Sequence, residues 1–217
     1  MKFNFFRMRF ENELKMLGNY QDTMEVQLVE AQKSELRLVE ERIKALEAGE
    51  EEAMILEEHE YIYGVIFPRS LRYSFIVLLF LNLESLLNEF CNAVQKKNNV
   101  ALRCNEIRGE SVERSKIYLH KLAKVNLIDL AFWNSIEDFS KVRNCIVHTL
   151  GKVDQSRDKL RLQDISKQGT GLTIGNAGSE EGFIILSNDY CKKIIVDVES
   201  LFRELFDKAG YGPSFSL

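Results

Sequence analysis

Proline is nearly missing from this chain: in 217 residues only Pro68 and Pro213 occur, so little in the sequence interrupts a helix. Eight of the twelve glycines lie at or beyond Gly151, which leaves the first two thirds free to be helix-rich. The four cysteines, Cys91, Cys104, Cys145 and Cys191, contain no Cys-x-x-Cys pair, and a zinc site is not expected. A Gly-rich phosphate loop, a Ser-His-Asp set and metal-ligand spacings are missing as well, so no metal ion and no cofactor is expected. The most apolar run, Phe75 to Leu81, is far shorter than the ~20 residues that cross a bilayer as a helix. Met1 to Leu17 carries charges among its apolar residues and has no signal-peptide core. The expectation is a cytoplasmic protein with reduced thiols and no membrane contact.

What remains is an ordinary globular composition, 45% hydrophobic and 29% charged, long enough for one core with an appendage. The net charge of −4 is unevenly spread. Residues 25–60 hold twelve Glu against four Lys or Arg, a local −8, which leaves +4 for the rest. A field that weak permits a polyanionic partner without requiring one.

From about Gln21 to Tyr61, apolar residues fall at Val29, Leu36, Val39, Ile43 and Leu46, with Gln32 in the same seam and Gly49 just past it. Such spacing is the seam of a helical hairpin or a short coiled coil, and suits a long solvated helix packed on the body or a coil that dimerises by itself. Pro68 marks a break, dividing an acidic helical arm or hairpin, 1–66, from a helical domain, 67–217. Leu71 to about Asn98 reads as the central core helix, with Glu84, Asn88 and Asn92 on one polar stripe. A helix from Ser111 to about Lys124 follows, then one capped by Asn134 or Ser135 and stopped at Gly151. Glycines and alternating apolar residues over 160–186 predict a β-hairpin turning near Asn176 to Gly178. Ser187 or Asn188 caps a last helix to about Lys208, which turns Ile194, Ile195, Val198, Leu201, Phe202 and Leu205 to the core. The fold expected is mainly α: a helical bundle with a long N-terminal arm and a small β-hairpin insertion.

The chemistry-bearing stretch runs from Phe139 to Gly151. At ~100° per residue Phe139, Val142, Ile146, Leu150 and Val153 form one apolar stripe, and Asn144 and His148, four apart, fall opposite it. Lys141 and Lys152 flank them as candidate substrate-binding groups, and Arg143 lies at the stripe's edge with the reach to join the same face. An imidazole moves protons near neutral pH, and a guanidinium stabilises charge gathering on phosphoryl oxygens. RNA supplies its own nucleophile, the 2′-hydroxyl, so this pair suits phosphodiester cleavage, with Asn144 orienting the ring or holding the phosphate. Only one such His exists per chain, and a two-fold dimer would bring a second.

Arg143-Asn144-Cys-Ile-Val-His148 resembles the R-x4-H signature, in its Arg-Asn-x-x-x-His form, of the HEPN domains (higher eukaryote and prokaryote nucleotide-binding). The resemblance spans roughly Leu71 to Phe206 and leaves the acidic arm unexplained. It implies a helical bundle that dimerises so that two motifs share a cleft, and a metal-independent endoribonuclease of the toxin, abortive-infection or anti-phage kind. RNA, a second copy and an antitoxin or other regulatory protein are the partners it implies. Arg143 and His148 would be catalytic, Asn144 would assist, and Glu84 on the preceding core helix would face the motif. Thr149 and Leu150 follow His148 here, where some family toxins carry a Tyr that is modified to silence them, so silencing by that route is in doubt.

Two other readings remain. One is a module that binds RNA or a nucleotide without cutting it; the other is an interaction protein whose acidic helix docks a partner. Of the remaining histidines, His59 is expected on a solvated face, and His120 on a surface where it would help hold RNA or do nothing. Phe132 and Trp133 are expected to seal the bundle near the start of the motif helix, with stacking on a base the lesser alternative.

Overall fold

The computed structural model describes residues 5–44, 50–127, 132–177 and 180–212. Among them the fold is mainly helical, as expected, with one two-stranded antiparallel sheet. The helices are α1 (Phe5–Lys44), α2 (Glu50–Glu60), α3 (Phe67–Asn98), α4 (Ser111–Ile117), α5 (Trp133–Thr149), α6 (Lys159–Ser166) and α7 (Asn188–Lys208). The strands are β1 (Leu172–Ala177) and β2 (Glu180–Leu186).

Helix α3 is the axle of the core. Phe75, Leu79, Leu83, Leu86, Leu87, Phe90 and Val94 are buried along it, as their spacing predicts. Helix α7 begins where Ser187 Oγ accepts the Tyr190 amide at 3.2 Å, and its predicted apolar face is buried. The first helix reaches well ahead of the seam stretch that starts near Gln21. Helix α1 begins at Phe5, and its first turns place Phe10 and Leu14 in the core. The Phe10 ring packs edge-on against Phe202 at 5.0 Å and Phe206 at 5.2 Å. About three turns past Leu14, Glu25 accepts two bonds from Arg72, at 2.8 and 2.9 Å, which join α1 to α3.

Several expectations are corrected. Pro68 does not break the chain's helix: α2 continues through a π-helical turn, Tyr61–Ile66, directly into α3. The wider turn, in which the Phe67 amide bonds back to Ile62, relieves the clash a proline ring makes with the carbonyl four residues earlier. The arm's seam does not pack along the body, because Val29 and Leu36 are exposed and Val39 and Ile43 half-buried, which speaks against the packed reading and not against a coil that dimerises; Leu46 and Gly49 lie outside the described residues. His59 is buried rather than solvated, stacked on Tyr63 with ring centroids 4.9 Å apart. Neither Asn134 nor Ser135 caps α5, which starts after Phe132 without a side-chain cap; the Ser135 hydroxyl donates to Asp197 instead. The first part of 160–186 is helix α6, whose Leu162 and Ile165 are buried, and the hairpin begins only at Leu172. The turn residue Gly178 lies outside the described residues.

The hairpin pairs Leu172 with Leu186 and Ile174 with Ile184. It is pinned to α3 by the Tyr73 hydroxyl, which donates to the Ile184 carbonyl at 2.6 Å, and by Arg72, which donates to the Leu186 carbonyl at 2.9 Å. The continuous helix Glu52–Asn98 is long and apolar enough, by length and composition alone, to cross a membrane. It includes the core residues Phe75, Ile76, Leu79 and Phe80.

Candidate functional site

Helix α5 presents its site by burying the opposite side. Ile136, Phe139, Val142, Cys145 and Ile146 are buried, and Ser140, Asn144 and His148 recur at four-residue steps away from them. The helix ends with Leu150 at φ 53° and Gly151 at φ 88°, and the Gly151 amide bonds back to the Cys145 carbonyl at 3.2 Å. That left-handed exit turns Leu150 out of the expected stripe, leaving it 76% exposed, while Val153 returns to the core in a 3-10 turn.

Ser140, Arg143, Asn144 and His148 line a cleft of about 260 Å³. Its other walls are Phe80 and Glu84 of α3, Glu110, Ser111 and Val112 at the start of α4, and Arg157. Arg143 is held on three sides. Its Nη1 donates to Asn144 Oδ1 at 2.8 Å, its Nη2 lies 3.7 Å from Glu84 Oε2, and its guanidinium stands 4.5 Å over the Phe80 ring. Among the described residues its Nε is buried without a partner. His148 is exposed in the same cleft. An immobilised cation, an amide and a solvent-reachable imidazole thus share one open space, an arrangement able to bind a phosphoryl group and exchange a proton beside it.

The structure gathers Arg143, Asn144, His148 and Glu84. It does not bring in Lys141, whose Nζ is 3.9 Å from Asp158 Oδ1, nor Lys152, whose Nζ stands 5.3 Å over the Phe183 ring; neither lines the cleft. Trp133 is buried and Phe132 packs against the core, as predicted. Sequence reasoning missed Ser140, although its position one turn before Asn144 makes it readable. It also missed Arg157, Glu110 and Ser111, for which no local pattern exists. Arg157 is paired with Glu110 and lies 3.5 Å from Asp158 Oδ2.

No known family model, curated protein or solved structure matches the chain.

Proposed function

We propose that this chain is a HEPN-type, metal-independent endoribonuclease whose site is completed by a second copy of itself. The observation that carries this reading is the convergence of Arg143, Asn144, exposed His148 and Glu84 in one open cleft. The helices walling that cleft also expose Leu81 and Val147, at 52% and 45%, and Leu150 follows at the end of α5. Apolar side chains left in water beside a polar cleft favour burial against a like surface.

In the reaction the ribose 2′-oxygen bonds to its neighbouring phosphorus as the bond to the 5′-oxygen of the next nucleotide breaks. His148 of one copy takes the 2′-hydroxyl proton, and His148 of the second copy returns a proton to the leaving 5′-oxygen. Arg143 stabilises the charge that builds on the non-bridging oxygens, and Asn144 keeps the guanidinium in place through its side-chain oxygen. The products are a 2′,3′-cyclic phosphate and a free 5′-hydroxyl. Cutting cellular or phage RNA in this way suits a toxin or anti-phage effector held in check by a regulatory protein.

The test is cleavage of single-stranded RNA by the purified chain in EDTA, with product ends identified by mass spectrometry. His148→Ala and Arg143→Ala should keep the fold and the oligomeric state and lose roughly 100-fold or more of the rate. Cleavage by both variants at the wild-type rate overturns the assignment. Tight RNA binding without cleavage under any metal or salt condition would assign the cleft to binding alone.

A further inference from the structure

Fourteen consecutive residues, Arg114 to Leu127, contain no acid in a chain whose net charge is −4. This stretch includes Lys116, His120, Lys121 and Lys124. A π-helical turn, Tyr118–Leu122, follows α4 and sorts its side chains: Tyr118 and Leu119 point into the core, while His120 and Lys121 are exposed. Such widened turns insert an extra residue into a helix and re-aim the side chains that follow. Lys124, just beyond, is exposed in a left-handed conformation at φ 59°.

Lys116, Ile117, His120 and Lys121 line a cavity of about 370 Å³ together with Trp133 and Asn134 from the start of α5. A second depression, of about 420 Å³, shares His120 and Lys121 and extends to Lys124. Trp133 is only 2% exposed, and among the described residues its Nε1 is buried with no hydrogen-bond partner. An indole nitrogen can only donate, so this buried group is satisfied by an incoming acceptor and by nothing on its own ring. Among the described residues that line the cavity there is no acid; Lys116 donates to Glu137 at 2.5 Å, and His120, Lys121 and Lys124 are exposed.

The cavity belongs to the same seam as the candidate cleft. The first residues of α4, Ser111 and Val112, line the cleft, and Lys116 near its end bonds to Glu137 of α5. The turn that follows α4 then meets Trp133. On α5, Trp133, Glu137, Ser140, Asn144 and His148 recur every three or four residues, so they fall on one side of the helix. At 1.5 Å per residue, Trp133 and Asn144 are on the order of 16 Å apart along that side.

We propose that the Trp133 cavity is a subsite for a neighbouring nucleotide of the RNA strand cut in the cleft, a proposal that rests on the ribonuclease reading. Lys121, Lys124 and His120 hold phosphates of the strand as it leaves the cleft. The base enters between Ile117 and the buried indole, its edge accepting from Trp133 Nε1 and exchanging hydrogen bonds with the Asn134 amide. Cations track the backbone while a ring and a few polar groups seat the base, the usual division of labour in single-strand recognition.

Trp133 is the only tryptophan in the chain, so its fluorescence reports on this cavity alone. The full chain is titrated with a 2′-O-methyl RNA oligomer, which lacks the attacking hydroxyl, while Trp133 emission and the anisotropy of a labelled strand are followed. The expected result is a saturable emission change that coincides with binding. Lys121→Glu and Lys124→Glu should each weaken binding about tenfold and flatten its salt dependence by about one phosphate contact. Unchanged Trp133 emission at saturating RNA, or wild-type affinity in both charge-reversed variants, overturns the subsite. Cleavage of ordinary RNA is measured in parallel. Cutting without any Trp133 response leaves the nuclease and removes the subsite; a Trp133 response with no cutting keeps the nucleotide site and removes the nuclease.

Discussion

Glu84 of α3 holds its carboxylate 3.7 Å from Nη2 of the Arg143 guanidinium of α5, whose Nη1 donates to Asn144 at 2.8 Å. Two helices far apart in sequence thereby aim one cation. Both side chains keep some solvent contact, 20% for Arg143 and 26% for Glu84, so their attraction contributes little stability and its main effect is orientation. Glu84→Gln keeps the shape and removes the charge. It should lower kcat roughly 10- to 100-fold with little change in KM, because a misplaced guanidinium costs transition-state contact more than substrate affinity. Steady-state kinetics on a short RNA would show this, and an unchanged kcat would mean that Arg143 is positioned without Glu84.

The proposed dimer face is testable through residues that the single chain does not need. Leu81 and Val147 are exposed, so Leu81→Glu and Val147→Glu should leave the fold unchanged by circular dichroism. Charges facing each other across a two-fold axis should shift the protein to monomer in sedimentation and abolish cleavage together. A persistent dimer would place the interface on another surface.

The exit from α5 makes two predictions of opposite sign. A Cβ at Gly151 would overlap the Tyr73 hydroxyl, and φ there is 88°. Left-handed strain of about 1–2 kcal/mol and overpacking of about 1–3 kcal/mol should make Gly151→Ala destabilising by about 2–5 kcal/mol. Leu150, also left-handed but 76% exposed, has no packing to lose within its own chain; Leu150→Gly, made in the monomeric Leu81→Glu background, should stabilise by about 1 kcal/mol. Urea denaturation measures both.

Alkaline pH should unfold the chain through its buried acids. Burial raises the Tyr73 and Tyr190 hydroxyls above the ordinary tyrosine range and pushes the Cys191 thiol up to about 12. In the unfolded chain these groups lose their protons near their ordinary values of about 10 and about 8.5. Above those values the unfolded state binds fewer protons than the folded one, so stability falls as pH rises. Their contribution is fully present below about pH 8 and should decline from about pH 9 upward. Thermal melts across that range would show it, and Tyr190→Phe should flatten the decline.

Much of the fold is legible without coordinates. The apolar spacing in α3 and α7, the Ser187 cap and the side of α5 that carries Asn144 and His148 all follow from periodicity and near neighbours. The mistakes cluster where a local signal was overruled. Pro68 is a helix breaker by residue type, yet a π-helical turn absorbed it. His59 lies in a Glu-rich run, yet stacking on Tyr63 buried it. Leu150 has the correct spacing for the buried stripe, but the helix ended before it could face inward.

Taken alone, the order of residues determined a helical chain and a helix with Arg143, Asn144 and His148 set apart from its apolar side. Those are properties of a single helix, settled by a period of 3.6 residues and by what caps each end. Only the tertiary structure decided that Glu84 would meet Arg143, that Arg157 and Ser111 would line the cleft, and that Lys116 of α4 and Lys121 of the turn after it would lie beside Trp133. Each of these depends on which helices become neighbours. That choice belongs to the burial of α3 against α1, α5 and α7, and no short window of sequence contains it.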